Sequence, residues 1–368
     1  MPKSKIIQAG MRVFILLVLS VWTYLWSGHD LEIRARIADK LNQWQGKTLN
    51  RNFQTPIKSG NLSTDYEIGQ AMRDIDSLEL NTVNVPVAVN IKDIRSSTMA
   101  LDEGSIRKAR QLIQKLRRKN LNIILEPYPW IANGEFYETN WNPDDIDAFF
   151  TNWKNSVIKP LIAKVAVPER VDAICVASNL VHMEEYEDRW FEVIDLSRQY
   201  YKGLITYKTN WWYTADWDKA TEERYKRKLE NGIFAKVDYI SIAAYFELSE
   251  KPVNTVAELK QDLQASNLYG RKQNIVEEIA AFHQKWSKPV LFGELGFPRR
   301  EFAAKQPWHP SPSQVEDGGE QARCFQAYKE TFTQNWFLGF SIFAIGNRQG
   351  EKNYYPSQES VAVIKSWN

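Results

Sequence analysis

Glu294 closes an apolar run, Pro289-Val290-Leu291-Phe292-Gly293, and is followed at once by Leu295-Gly296-Phe297-Pro298. The run reads as a buried strand, and the glycine and proline as the loop it feeds. A carboxylate at the end of such a strand can attack an anomeric carbon, the part that a retaining glycosidase gives to one of its two carboxyl groups. It could equally cap a helix or pair with an arginine, so the motif needs company. Other apolar runs end in residues suited to sugar hydroxyls and ring faces. Glu126, Tyr128 and Trp130 close one run, and Asn179 the next. Asn210, Trp211 and Trp212 follow a third, Tyr245 a fourth, and Phe343 lies in the last. Any single aromatic among them could be core packing; several at strand ends together point to a carbohydrate site.

Those residues need a frame that brings strand ends together. Strand-like runs occur at 49–54, 82–90, 121–130, 171–180, 204–212, 237–246, 289–297 and 338–345. Helical patterns alternate with them at 66–78, 105–119, 145–166, 188–201, 220–230, 275–286, 320–333 and 357–367. Eight of each, with strands apolar enough to be covered on both faces, predict an α/β fold of the (β/α)8 TIM-barrel type. Residues 306–319, rich in proline and glycine, read as a long loop on the catalytic rim after strand seven.

The two cysteines, Cys175 and Cys324, fall in a predicted strand and a predicted helix and read as small buried hydrophobes, which leaves no disulfide framework. The four histidines form no metal-binding pattern, so neither metal nor cofactor is expected. With 47 basic and 45 acidic residues well mixed, the net charge of +2 gives no reason to expect nucleic acid as a partner. The chain carries 14 Trp, in keeping with stacking on sugar rings and equally with a large core.

Lys3, Lys5 and Arg12 precede or interrupt an apolar span from Ile6 to Trp26, and Trp22, Tyr24 and Trp26 form an aromatic belt at its far end. No small-residue cleavage site follows it, which favours an uncleaved anchor over a signal peptide. The expected organisation is a cytoplasmic stub and a transmembrane helix in 1–28, contacting the lipid bilayer through 6–28. A juxtamembrane spacer follows in 29–47, and an extracytoplasmic barrel in 48–368, on the periplasmic side or at the cell surface.

Several stretches then resemble one family. Leu204-Ile205-Thr206-Tyr207-Lys208-Thr209-Asn210-Trp211 is similar to an L-T-Y-x-x-N-W segment, and 237–245 to a D-Y-I-G-x-x-A-Y strand. Residues 288–297 are similar to K-P-V-L-F-T-E-I-G-Y, while 320–323, 336–339, Tyr355-Pro356 and 364–367 match the segments that follow. From about Ser63 onward the chain resembles glycoside hydrolase family 113, bacterial endo-β-mannanase-like proteins of clan A. The resemblance implies a retaining β-glycosidase with Glu294 as nucleophile, Tyr245 as its hydrogen-bond partner, and Asn210 and Trp211 lining the site. It departs at strand four. Where the family has C-I-G-T-E-L, with Glu as general acid/base, this chain has Cys175-Val176-Ala177-Ser178-Asn179-Leu180. An amide can neither give nor take the proton near neutral pH. The family's K-P-H is Glu126-Pro127-Tyr128 here, an Asp on strand six is Ala243, and a Trp pair on strand eight is Ile342-Phe343. Mannan specificity therefore does not follow.

Two readings come out of this. One is an enzyme acting on a cell-surface or secreted oligo- or polysaccharide, with His182, Glu184 or Glu185 as candidate stand-ins for the missing acid. The other is a glycan-binding pseudoenzyme that supports envelope polysaccharide assembly or export machinery. The retained Glu294 places catalysis ahead, since a buried carboxylate with no task is a cost.

Overall fold

The computed structural model describes residues 56–347 and 353–367. The expected anchor, the spacer and the strand placed at 49–54 lie outside the described residues. Among the described residues no helix is long and apolar enough to cross a membrane.

Eight parallel strands form the frame: β1 (Ile57–Leu62), β2 (Thr82–Ile91), β4 (Asn122–Ile131), β5 (Ala173–Ser178), β6 (Leu204–Asn210), β7 (Tyr239–Ala243), β8 (Val290–Leu295) and β9 (Phe337–Ile345). Each pairs with the next, and β1 pairs with both β2 and β9, so the sheet closes on itself. A short β3 (Met99–Leu101) adds antiparallel to β2 outside the ring. Barrel strand one is therefore Ile57–Leu62. Its Lys-Ser-Gly-Asn centre has little intrinsic strand preference, and pairing on both edges holds it extended. Gly60 sits closely packed there: a Cβ would lie 2.4 Å from Ile345 Cδ1 and 2.9 Å from Leu80 Cδ1, so those side-chain ends would have to shift.

The covering helices are α1 (Ile68–Leu78), α2 (Glu103–Arg118), α3 (Ile146–Asn152, continuing in wider turns to Ala166), α4 (Glu187–Tyr200), α5 (Lys219–Glu230), α6 (Val256–Gln264), α7 (Ile275–Trp286), α8 (Gly318–Thr331) and α9 (Gln358–Lys365). The second shows why such segments are helical. Asp102 accepts from Ser105 N at 2.6 Å as the N-cap, and Ile106, Ala109, Leu112, Ile113 and Leu116 form one buried stripe. Lys115, Arg117 and Arg118 complement the C-terminal dipole. Helix α6, which the periodicity did not single out, begins at a Thr255/Glu258 capping box.

Strand alternation divides the core in two. Ile57, Ile124, Ala173, Cys175, Tyr239 and Leu291 plug the barrel, while a larger cluster lies between sheet and helices. Both cysteines are free and buried, as small apolar residues would be. Above the apolar plug the inward positions turn polar: Ser59, Asn61, Asn84, Glu126, Lys208 and Ser241 are all buried.

Candidate active site

The polar layer is where chemistry can happen, and one backbone irregularity creates it. In β8, Leu291 faces the barrel plug and Phe292 faces the helix layer, so strict alternation would point Gly293 inward and Glu294 outward. Instead the pairing of β8 shifts register against both β7 and β9 at this point. The extra residue is a bulge, and it turns Glu294 to the interior, leaving Leu295 with the helix layer. Gly293 makes the bulge compatible with its neighbours. A Cβ there would stand 2.0 Å from Ser241 Oγ and 3.2 Å from Lys208 Cδ. Its carbonyl is held by Asn61 Nδ2 at 2.8 Å, and Asn84 Nδ2 braces Asn61 Oδ1 at 2.7 Å.

Lys208, inward-facing on β6 and 1% exposed, places its ammonium 2.6 Å from Glu294 Oε1 and 2.9 Å from Glu126 Oε2. Burial alone would strip its proton, but the two carboxylates outweigh that and hold its pKa above the ordinary value. Burial pushes Glu126 up, against the pull of Lys208. Tyr245, just past β7, donates its hydroxyl to Glu294 Oε2 at 3.1 Å. Burial first, and the Glu294 charge second, hold the phenol well above its usual pKa, so it stays a donor. Glu294 is thus oriented through both oxygens, its side chain 12% exposed.

Around this centre, Tyr128 and Phe343 line the same cavity as Glu126 and Glu294, together with Asn61, Asn84 and Pro86. The Phe343 ring meets Tyr245 edge-on at 6.2 Å and Tyr354 at 5.2 Å, and Trp211 packs against that aromatic group. Asn210 is half-buried at the end of β6, on the inward face with Lys208. Trp130 lies further out, its indole covering Gly134, where a Cβ would stand 2.5 Å from the ring and the φ of 87° favours glycine. Asn179 is buried at the end of β5 with φ 55°, a left-handed conformation that Asn tolerates better than most residues.

Trp212 is the exception. It is buried against Tyr225, Phe246 and Phe282, and its indole N–H donates to Glu278 Oε2 at 2.8 Å. It belongs to the helix layer. Trp212→Ala is expected to cost about 3–5 kcal/mol in stability, measured by denaturant unfolding, whereas Trp211→Ala raises KM with little loss of stability.

Of the three candidate stand-ins for the family's acid, Glu184 is engaged away from Glu294, and Glu185 lines a second cavity with Asn210 and Trp211. Glu184 hydrogen-bonds Thr209 Oγ1 at 2.8 Å and is salt-bridged to Lys228 of α5, on the outer face of β6. His182 and Glu185 are exposed. What the sequence did not single out is Glu138, from the loop after β4. It is buried, and its Oε1 accepts from Asn179 Nδ2 at 3.0 Å. Burial, with a further push from the Glu294 charge, raises its pKa to about 7. Among the described residues no three His, Cys, Asp or Glu side chains converge to hold a metal ion.

Residues 52–361 match Glycoside Hydrolase Family 113. Among solved structures, a GH113 β-1,4-mannanase complex is 21% identical with a TM-score of 0.63, covering 85% of this chain and 98% of that one. The GH113 β-mannanase AaManA from Alicyclobacillus acidocaldarius, in complex with ManMIm, is 18% identical with a TM-score of 0.66, covering 85% and 97%. A β-glucuronidase from Ruminococcus gnavus shares the fold at 12% identity and a TM-score of 0.56, covering 85% of this chain and half of that one. No curated protein matches. At these identities the structures speak for the fold, and the family match, which spans most of the chain, carries the assignment: the chain belongs to glycoside hydrolase family 113.

Proposed function

We propose that the protein is a retaining β-glycosidase acting on an oligo- or polysaccharide, with Glu294 as the nucleophile. One observation carries the reading. A bulge in β8 turns Glu294 into the barrel mouth, where Lys208 binds one oxygen and Tyr245 the other. The paired donors fix which lone pairs face an incoming sugar. Trp211, Tyr128 and Phe343 supply ring-sized apolar faces around it. The β-mannanases among the structural neighbours make β-mannosides the first substrates to try. Glu126 and Tyr128 at the mouth, in place of the family's K-P-H segment, are reason to widen the panel. We further place the barrel outside the cytoplasm, tethered to the bilayer by residues 6–28, in keeping with Lys3, Lys5 and Arg12 ahead of the aromatic belt.

A second reading has its own observation. Asn179 occupies the position where the family carries its acid/base, which suits a protein that binds glycan without cleaving it. The two separate in one measurement. The full-length protein is incubated with 2,4-dinitrophenyl 2-deoxy-2-fluoro glycosides of several sugars and its intact mass recorded. These leaving groups depart without a proton, so the amide at 179 cannot mask a working nucleophile. A glycosyl adduct that maps to Glu294, and is absent from Glu294→Gln, is the expected result. No adduct from any sugar, in folded protein, leaves the glycan-binding reading.

A further inference from the structure

We propose that Glu138 supplies the proton-transfer group of the retaining cycle, the post that the amide of Asn179 cannot fill; the inference rests on Glu294 being the nucleophile. The geometry is direct. The Glu138 carboxyl lies 3.0 Å beyond the end of the Asn179 side chain. A glutamate at 179 would be longer than asparagine by one C–C bond, about 1.5 Å, and would carry its own carboxyl towards that place. The chain thus keeps a carboxyl at the end of β5 while drawing it from the loop after β4. Two residues hold the loop for this. Trp141, fully buried, donates its indole N–H to Ser96 O at 2.9 Å and meets Phe149 edge-on at 5.0 Å. Asn179 then fixes the carboxyl itself, and its own Oδ1 is buried without a hydrogen-bond partner.

The charged groups facing Glu138 suit the task. Burial and the Glu294 charge favour its neutral form, while the Asn179 amide and the Lys208 ammonium favour its charged one. A group that ionises near the working pH can both give and take a proton. In the first step Glu294 forms a bond to the anomeric carbon as the glycosidic C–O bond breaks, and the Glu138 proton passes to the leaving oxygen. In the second a water loses a proton to the Glu138 carboxylate as its oxygen bonds the anomeric carbon, and the Glu294 ester bond breaks. Glu138 ends protonated, as it began.

The test compares the full-length protein with Glu138→Gln on 2,4-dinitrophenyl and 4-methylumbelliferyl β-glycosides of whichever sugar labels Glu294. Loss of a proton donor predicts a fall in kcat/KM of about 10² to 10⁴ on the methylumbelliferyl glycoside and less than about tenfold on the dinitrophenyl one. Azide, which needs no general base, should restore turnover and yield the β-glycosyl azide. The fall of activity above pH 7 should vanish in the variant. Equal loss on both leaving groups with no azide product, or no loss on either, overturns the proposal. If Glu138→Gln fails to fold, Glu138→Asp carries the same comparison, with the same leaving-group dependence expected. A wild-type protein that labels Glu294 while Glu138→Gln behaves like it sinks this inference alone. A wild-type protein that never labels sinks the nucleophile reading and this one with it.

Discussion

Lys208→Met is expected to destabilise the protein by about 3–5 kcal/mol at pH 7 and to abolish glycosyl transfer to Glu294. The ammonium is 1% exposed and lies within 3 Å of both Glu126 and Glu294, so its removal leaves two buried carboxyl groups facing each other without a cation. Like charges so placed cannot both ionise, and one takes up a proton. Glu294 Oε1 also loses its ammonium partner, so the proposed nucleophile is held through one oxygen instead of two. Adding Glu126→Gln removes the repulsion and should recover part of the stability, a coupling that a double-mutant cycle in urea reads directly. Additive losses would mean that the three groups do not act as a unit.

The second large effect is on stability against pH. Glu138 has a folded-state pKa raised from 4.5 to about 7, so the native state holds its proton more firmly than the unfolded chain does. Its favourable contribution is complete below the unfolded value of 4.5. It is lost progressively as pH rises, and above about 7 the native state carries a buried carboxylate at a cost of about 3 kcal/mol. Glu138→Gln cannot ionise. The variant should therefore gain on the wild type between pH 5 and 8, by an amount approaching that figure, in unfolding free energies measured across the range. A constant difference would show that Glu138 does not titrate in this window.

The two residues behind these predictions were the hardest to read from the chain, for physical reasons. Glu294 and Tyr245 stand at strand ends, where topology alone says the mouth must be, and Glu126, Tyr128 and Trp130 share one face by their spacing of two. Lys208 lies within an apolar strand, and a lysine there reads as a solvated edge until its carboxylate partners on β4 and β8 are known. Glu138 comes from a loop without periodicity, and only the folded chain shows that it meets Asn179. Trp211 and Trp212 both lie beyond the last residue of β6, where strand alternation no longer applies, so only the folded chain shows Trp212 packed against Tyr225 and Phe282 of the helix layer. Strand one was displaced from 49–54 to Ile57–Leu62 because its polar centre is held extended by its neighbours rather than by its own preference.

The bulge at Gly293 separates two kinds of change that this lineage can undergo. The direction of Glu294 is set by a count of backbone residues and by an asparagine clamp, whereas the groups proposed to meet the sugar come from the ends of other strands and their loops. Drift or selection in those loops can alter what is recognised, or move a proton donor from one segment to another, without disturbing the attacking group. An amide at 179 beside an intact carboxylate at 294 is the kind of record such independence leaves in a gene.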